Sequence, residues 1–190
     1  MKRRTPITQY CHERIQQMIK EPLLCIDATA GTGKDTVFLA KLVGEKGRVI
    51  SMDIQEMAIE QTKKRLLKER LSDRAEVVLD SHAHMDKYAQ KDSVSLIMFN
   101  LGYLPGGDHS LSTKADTTIE ALEKGLNLLH EGGMISLIYS GGDSGFEEKK
   151  QVLAWLRELT DDKYTVLVEA FYNKPNNPPL PVYILKNETA

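Results

Sequence analysis

The sequence predicts an α/β, Rossmann-like fold with a seven-stranded, mostly parallel sheet whose last strand runs antiparallel to the rest. Three observations carry this expectation. An apolar run, Leu23 to Ile26, leads directly through a small-residue turn, Asp27-Ala28-Thr29-Ala30-Gly31-Thr32-Gly33, into an apolar helical segment from Val37 to Val43. Strand-like and helix-like segments then alternate, as they do where helices cover both faces of a parallel sheet. Finally, Tyr164 to Phe171 and Val182 to Leu185 are two closing strands with no helical pattern between them. Without a crossover helix such a pair is antiparallel.

With 190 residues, 41% hydrophobic and 27% charged, the chain is expected to form one soluble domain over 1–190, opened by a short helix. Its basic start, MKRRTPIT, lacks the apolar run of a signal peptide, and no stretch reaches the ~20 apolar residues that span a bilayer. The expected location is the cytoplasm, with no membrane partner. Cys11 and Cys25, the only cysteines, are too few for a disulfide framework and read as buried filler. A net charge of −2 gives no general attraction to nucleic acid, so an RNA would need a local basic patch.

The turn after the first strand is the centre of the chain. Gly31 and Gly33 allow backbone conformations closed to other residues, and the free N–H groups of the following helix point at whatever lies there. Gly33-Lys34 resembles the end of a phosphate-binding P-loop, but Ala28 stands where its first glycine belongs and Asp35 where its magnesium-binding hydroxyl belongs. A dinucleotide fingerprint needs a third glycine where the chain has Thr36. The turn of S-adenosylmethionine (SAM) enzymes, an acid followed by small residues, suits Asp27, Thr29, Gly31, Thr32 and Gly33 best, with Asp27 expected to take the amino group of the methionine moiety. Asp35, at the start of the helix, joins the cofactor candidates.

A helix from Thr8 to Lys20 precedes this turn, and His12 on it reads as a surface or packing residue. The second strand, Arg48 to Met52, delivers Asp53 to the sheet edge, where an acid accepts the hydroxyls of an adenosine ribose, with Gln55 on the adenine side. The helix Glu56 to Arg70 buries Ile59, Leu66 and Leu67. It also carries Lys63, Lys64, Arg65, Lys68 and Arg70, a solvated face or an RNA-backbone patch. The third strand, Ala75 to Leu79, ends on Asp80, Ser81 and His82, expected near adenine. Asp80, His82, His84 and Asp86 could alternatively hold a metal, but the adenosine reading already accounts for Asp80, and no metal is expected.

The fourth strand, Val94 to Phe99, leads to Asn100-Leu101-Gly102-Tyr103. This has the spacing of the loop with which amino-group methyltransferases hold their acceptor. The asparagine oxygen accepts hydrogen bonds from an amine, and the aromatic ring stacks on a base. Asn100 and Tyr103 are therefore the catalytic candidates, and Asn100 also joins the cofactor candidates. Thr117 with Glu120 and Ser144 with Glu147 are capping-box pairs. They open helices that bury Ile119, Leu122, Leu126 and Leu129 in one case and Val152, Leu156 and Leu159 in the other. A fifth strand, Met134 to Tyr139, lies between them. The whole order matches the class I SAM-dependent methyltransferase arrangement.

The segments DATAGTGKDT, MDIQ, LDSH, MFNLGYLPGGDH and NKPNNPP together resemble one family. It comprises the small SAM-dependent methyltransferases long labelled rRNA methylases and now associated with bacterial tRNA 5-aminomethyl-2-thiouridine methylation. The resemblance spans nearly the whole chain, with Lys34 where a histidine is expected and Ala83 where an acid is expected. It implies SAM as cofactor, the wobble uridine in the tRNA anticodon region as substrate, conversion of its aminomethyl group to methylaminomethyl, and a homodimer. Asp108 or His109 is left as the proton acceptor. Cofactor motifs say little about the acceptor, so rRNA, a metabolite or a protein remain alternatives. An NAD-dependent oxidoreductase and a non-catalytic RNA-binding protein are the readings from other classes.

Overall fold

In the computed structural model, the structure describes residues 6–101, 115–139, 146–175 and 177–188. The elements run α1 (Ile7–Met18), β1 (Leu24–Asp27), α2 (Lys34–Leu42), β2 (Arg48–Asp53), α3 (Glu56–Glu69), β3 (Ala75–Leu79), a 3-10 helix (His82–Lys87), β4 (Val94–Leu101), α4 (Ala115–Leu128), β5 (Leu129–Tyr139), α5 (Phe146–Leu156), β6 (Tyr164–Val168) and β7 (Leu180–Lys186).

The seven strands form one sheet in the order β3-β2-β1-β4-β5-β7-β6. Neighbours from β3 to β5 pair in parallel, whereas β7 is antiparallel to both β5 and β6. The expected mostly parallel sheet with an antiparallel last strand is therefore present. The chain winds outward from β1 to β3, then returns to place β4 on the other side of β1. The C-terminal ends of β1 and β4 thus form the switch point at which open α/β sheets bind ligands.

Alternation along the strands sends side chains to two cores. Cys25, Val49, Leu96, Met98 and Met134 pack with α1, α2 and α3 through Ile15, Leu39 and Leu66 on one face. Ile26, Ile50, Ile97, Phe99, Ile135 and Leu137 pack with α4 and α5 through Leu122, Leu126, Val152 and Leu156 on the other. Each fully buried aliphatic or aromatic side chain contributes about 1.5–3 kcal/mol over its exposed state. The residue parity that builds these cores also decides which tip residues meet: Asp27, Ser51 and Asn100 continue the register of Cys25, Val49 and Met98 toward the α1/α2 face.

The structure corrects several local expectations. Leu67 is 72% exposed, because the buried stripe of α3 runs Ala58, Ile59, Thr62 and Leu66. Thr117 lies inside α4, which already includes Ala115 and Asp116, so it cannot be the N-cap of that helix. Ser144 lies outside the described residues, as do Tyr103, Asp108 and His109. Leu129 is buried as expected, but it opens β5 instead of closing α4. β5 is irregular near its start: Gly132 has φ +76°, and the pairing with β4 shifts between Val94 and Leu96.

Candidate active site

The turn between β1 and α2 is fastened on every side. Gly31, at φ +53°, donates its N–H to Asp53 Oδ2 at 2.9 Å, and the Gln55 N–H meets Asp53 Oδ1 at 3.0 Å. The half-buried Asp53 carboxylate therefore ties the turn to the tip of β2 and keeps further acceptor capacity on its oxygens. Arg65 Nε donates to the Thr32 carbonyl at 2.6 Å, so this member of the α3 cationic run serves the turn. Gly33, at φ +76°, directly precedes α2, and a Cβ there would come within 2.8 Å of the Thr62 backbone. No side chain caps α2, which leaves its first-turn N–H groups to an anionic ligand group.

Asp27 has no exposed surface. Its Oδ1 accepts the Thr29 N–H at 3.2 Å and its Oδ2 accepts the Thr36 hydroxyl at 2.6 Å. Thr36 in turn lies 2.8 Å from the Ser51 hydroxyl. Burial, with the Asp35 carboxylate nearby as the next cause, pushes the Asp27 carboxyl up to about 7. As arranged, Asp27 braces the turn from beneath and presents no surface for direct contact with a ligand amino group, which corrects the role expected from sequence.

Asp35 is also buried, at 6% exposure, and faces inward from α2. Its Oδ1 is 2.7 Å from His12 Nε2, and its Oδ2 accepts Asn100 Nδ2 at 3.2 Å. It thus lies against the Asn100 side chain at the end of β4. The Asn100 N–H donates to Thr29 Oγ1 at 2.8 Å, joining the end of β4 to the turn. Because an ionised carboxylate only accepts, the Asn100 amide nitrogen is committed to Asp35 and its oxygen is left for another donor. His12, which the sequence left as packing, stacks on Phe38 with centroids 3.8 Å apart and also reaches the site. No spacing in the sequence signals this, since it depends on how α1 docks against α2.

At the β3 end, Asp80 Oδ1 accepts the Ser81 N–H at 2.7 Å and lies 2.6 Å from His84 Nδ1, while Oδ2 accepts the Tyr88 hydroxyl at 2.9 Å. The bonds from His84 and Tyr88 hold its carboxyl well below the ordinary carboxylate range. Ser81 caps the 3-10 helix through the Ala83 N–H at 3.2 Å. His82 sits edge-on to Phe99 at 5.9 Å, with its ring hydrogen-bonded to Ala28, and burial lowers its pKa. Among the described residues, no three His, Cys, Asp or Glu side chains are grouped to hold one metal ion.

The arrangement fits SAM. Asp53 is half-exposed at the tip of β2 with acceptor capacity to spare for hydroxyl donors, the uncapped start of α2 suits a carboxylate, and Ile54 and Leu79 leave apolar surface beside Asp53. When bound, SAM supplies a methyl group made electrophilic by its positive sulfonium.

Comparison with known proteins agrees. Residues 49–185 match the family described as "Putative rRNA methylase". The chain is 36% identical to the tRNA (mnm5s2U34)-methyltransferase, chloroplastic, of Arabidopsis thaliana, over 97% of this chain and 71% of that protein. A crystal structure titled as a putative rRNA-methylase from Clostridium thermocellum superposes with a TM-score of 0.89 at 46% identity, covering 98% of this chain and 100% of that one. A methyltransferase structure from Streptococcus mutans in complex with SAH gives 0.84 at 34% identity, covering 97% and 99%. The seven-stranded sheet and these matches place the chain in the rRNA methylase family of SAM-dependent methyltransferases.

Proposed function

We propose that this enzyme methylates the aminomethyl nitrogen of 5-aminomethyl-(2-thio)uridine at the wobble position of tRNA, giving 5-methylaminomethyl-(2-thio)uridine. The observation that carries the reading is the Asn100 amide, whose nitrogen is held by Asp35 Oδ2 at 3.2 Å. The remaining amide oxygen is an acceptor, which suits an N–H donor such as an amine. The name of the Arabidopsis relative supports the same acceptor.

The amine must arrive with a free lone pair. An ammonium has none and is repelled by the sulfonium, and both desolvation and that positive charge lower an amine's pKa in the cleft. Asn100 then directs one N–H toward its oxygen, so that the nitrogen lone pair faces the methyl carbon. With SAM bound, the C–N bond would form as the S–C bond breaks, its electrons staying on sulfur, and the methylated ammonium would then release one proton, to which Asp108 or His109 is assigned. Positioning supplies most of the acceleration. Tyr103 is assigned to the uracil ring in this reading. Asp53 and Gln55 are assigned to the adenosine, with Ser81 and His82 at its base edge.

The tRNA anticodon region would lie across the β1/β4 edge, and a homodimer in the cytoplasm completes the proposal. Lys63, Lys64 and Lys68 on α3 are exposed, with Lys64 3.6 Å from Glu60. No helix among the described residues is long and apolar enough to cross a membrane. Mass spectrometry of tRNA nucleosides from cells lacking the gene tests the reading. Accumulated aminomethyl-thiouridine with the methylaminomethyl form lost supports it, and unchanged tRNA with undermethylated rRNA moves the acceptor to rRNA. Light scattering of the purified protein tests the dimer.

A further inference from the structure

We infer that His12 is a positioning residue for methyl transfer: through Asp35 it holds the Asn100 amide in the one orientation that turns its oxygen to the acceptor. The inference rests on the acceptor-side role of Asn100 and adds a residue from α1, outside every segment of the cofactor turn.

Three elements meet in the contact. His12 lies on the half of α1 that also buries Cys11 and Ile15. Asp35 is in the first turn of α2, and Asn100 is near the end of β4, on the sheet face those helices cover. His12 Nε2 is 2.7 Å from Asp35 Oδ1, and Asn100 Nδ2 is 3.2 Å from Oδ2. Phe38, three residues after Asp35, stacks on the His12 ring at an interplanar angle of 3°. That stacking fixes the ring plane, so Nε2 stays directed at the carboxylate. The His12 side chain keeps 20% of its surface exposed against 7% for Asp35.

An amide can rotate by half a turn with little change in shape, and only its neighbours decide which end faces the cleft. While Asp35 is ionised, the reversed amide would set oxygen against oxygen, so the observed sense is the only favourable one. A buried carboxylate stays ionised only where donors support it. Asp35 has His12 and the neutral Asn100 amide as donors, and the buried Asp27 carboxylate lies near enough to interact with it. Cys11, also facing this region from α1, adds no positive charge. The adjacent Lys34 is exposed. If His12 were replaced by a ring without a donor, Asp35 Oδ1 would lose the partner that fixes the carboxylate, and Oδ2 would no longer be held against the Asn100 amide nitrogen.

The test is a cycle of His12→Phe, Asn100→Ala and the double variant, with His12→Gln as rescue. Phenylalanine keeps the stack on Phe38 but has no donor, whereas glutamine restores one. His12→Phe is expected to lower kcat about tenfold with KM for SAM within about twofold of wild type. His12→Gln should recover most of the loss, and His12→Phe should cost nothing more once Asn100 is alanine. An equal loss in both backgrounds, an unchanged kcat, or a change confined to SAM affinity would overturn the inference.

The Asn100 side-chain amide signals in 15N–1H spectra give a readout that needs no acceptor. They should move and exchange faster in His12→Phe and return in His12→Gln, and identical spectra would also overturn the inference. If His12→Phe does not fold, Asp35→Asn takes its place in the cycle and in the spectra: it should lower kcat, cost nothing more once Asn100 is alanine, and move the Asn100 amide signals. Should wild-type enzyme fail to methylate the tRNA, the acceptor assignment falls while the spectra still judge His12.

Discussion

Replacing Asp53 by alanine separates its observed task, bracing the turn, from its proposed one, holding the ribose of SAM. The variant loses the bonds from the Gly31 and Gln55 N–H groups, at 2.9 and 3.0 Å. Bonds to a charged acceptor contribute about 1.5–3 kcal/mol each, but Asp53 is half-buried and water replaces part of what is lost. The expected fall in folding stability is therefore about 1–2 kcal/mol. Two ribose hydroxyls on the same carboxylate, discounted in the same way, correspond to about 1–2 kcal/mol of binding, or roughly 5–30-fold in the Kd for SAM. Calorimetric titration at a temperature where melting curves show the apo variant folded measures this directly. An Asp53→Ala protein that is destabilised yet binds SAM with wild-type affinity would refute the ribose role while leaving the turn-bracing role intact.

Three further outcomes follow from the geometry. Asn100→Ala should leave SAM affinity nearly unchanged and lower turnover by about 10²-fold, read from single-turnover kinetics; equal turnover would remove its amine-orienting role. Gly33→Ala places a side chain at φ +76° and a Cβ within 2.8 Å of the Thr62 backbone, so chemical denaturation should show a loss of about 2–4 kcal/mol. A loss below 0.5 kcal/mol, on the scale of an ordinary surface substitution, would mean the α2/α3 contact yields easily. The Asp27 carboxyl, raised from 3.8 to about 7 in the folded chain, holds a proton between those pH values that the unfolded chain has lost. This group therefore makes stability fall as pH rises through that window. A cationic ligand favours its ionised form, so SAM should bind more tightly from pH 5.5 toward 7, by up to about tenfold per unit, with proton release. Calorimetry in buffers of different ionisation enthalpy checks this, and pH-independent affinity without proton release would contradict it.

The strand tips were legible in the sequence because parallel strands joined by helices must deliver their ends to one edge, whatever the side chains then do. What each tip does was less legible. Asp27, Asp53 and Asp80 read alike, yet Asp53 remains half-exposed at the pocket, Asp27 lies wholly buried, and Asp80 is occupied by Ser81, His84 and Tyr88. Side-chain parity and local capping separate them, and neither is visible in a run of apolar letters. Leu67 failed for a related reason: α3 is rotated so that its buried stripe passes through Thr62 and Leu66, leaving the next residue on the solvent side. His12 and Asp35 meet only because α1 folds back onto α2, a long-range event with no local signature. Asn100 stood out in the sequence by its spacing to Tyr103, but the contact that orients its amide depends on Asp35 and was not visible there.

The central claim is that this pocket sets a neutral amine against the methyl group of SAM beside Asn100. Purified enzyme, labelled SAM and tRNA bearing 5-aminomethyl-2-thiouridine, followed by nucleoside mass spectrometry, test it most directly. The account predicts label on the aminomethyl nitrogen and roughly 10²-fold less of it with Asn100→Ala. Label elsewhere on the tRNA, no label at all, or equal labelling by the Asn100→Ala enzyme would contradict it.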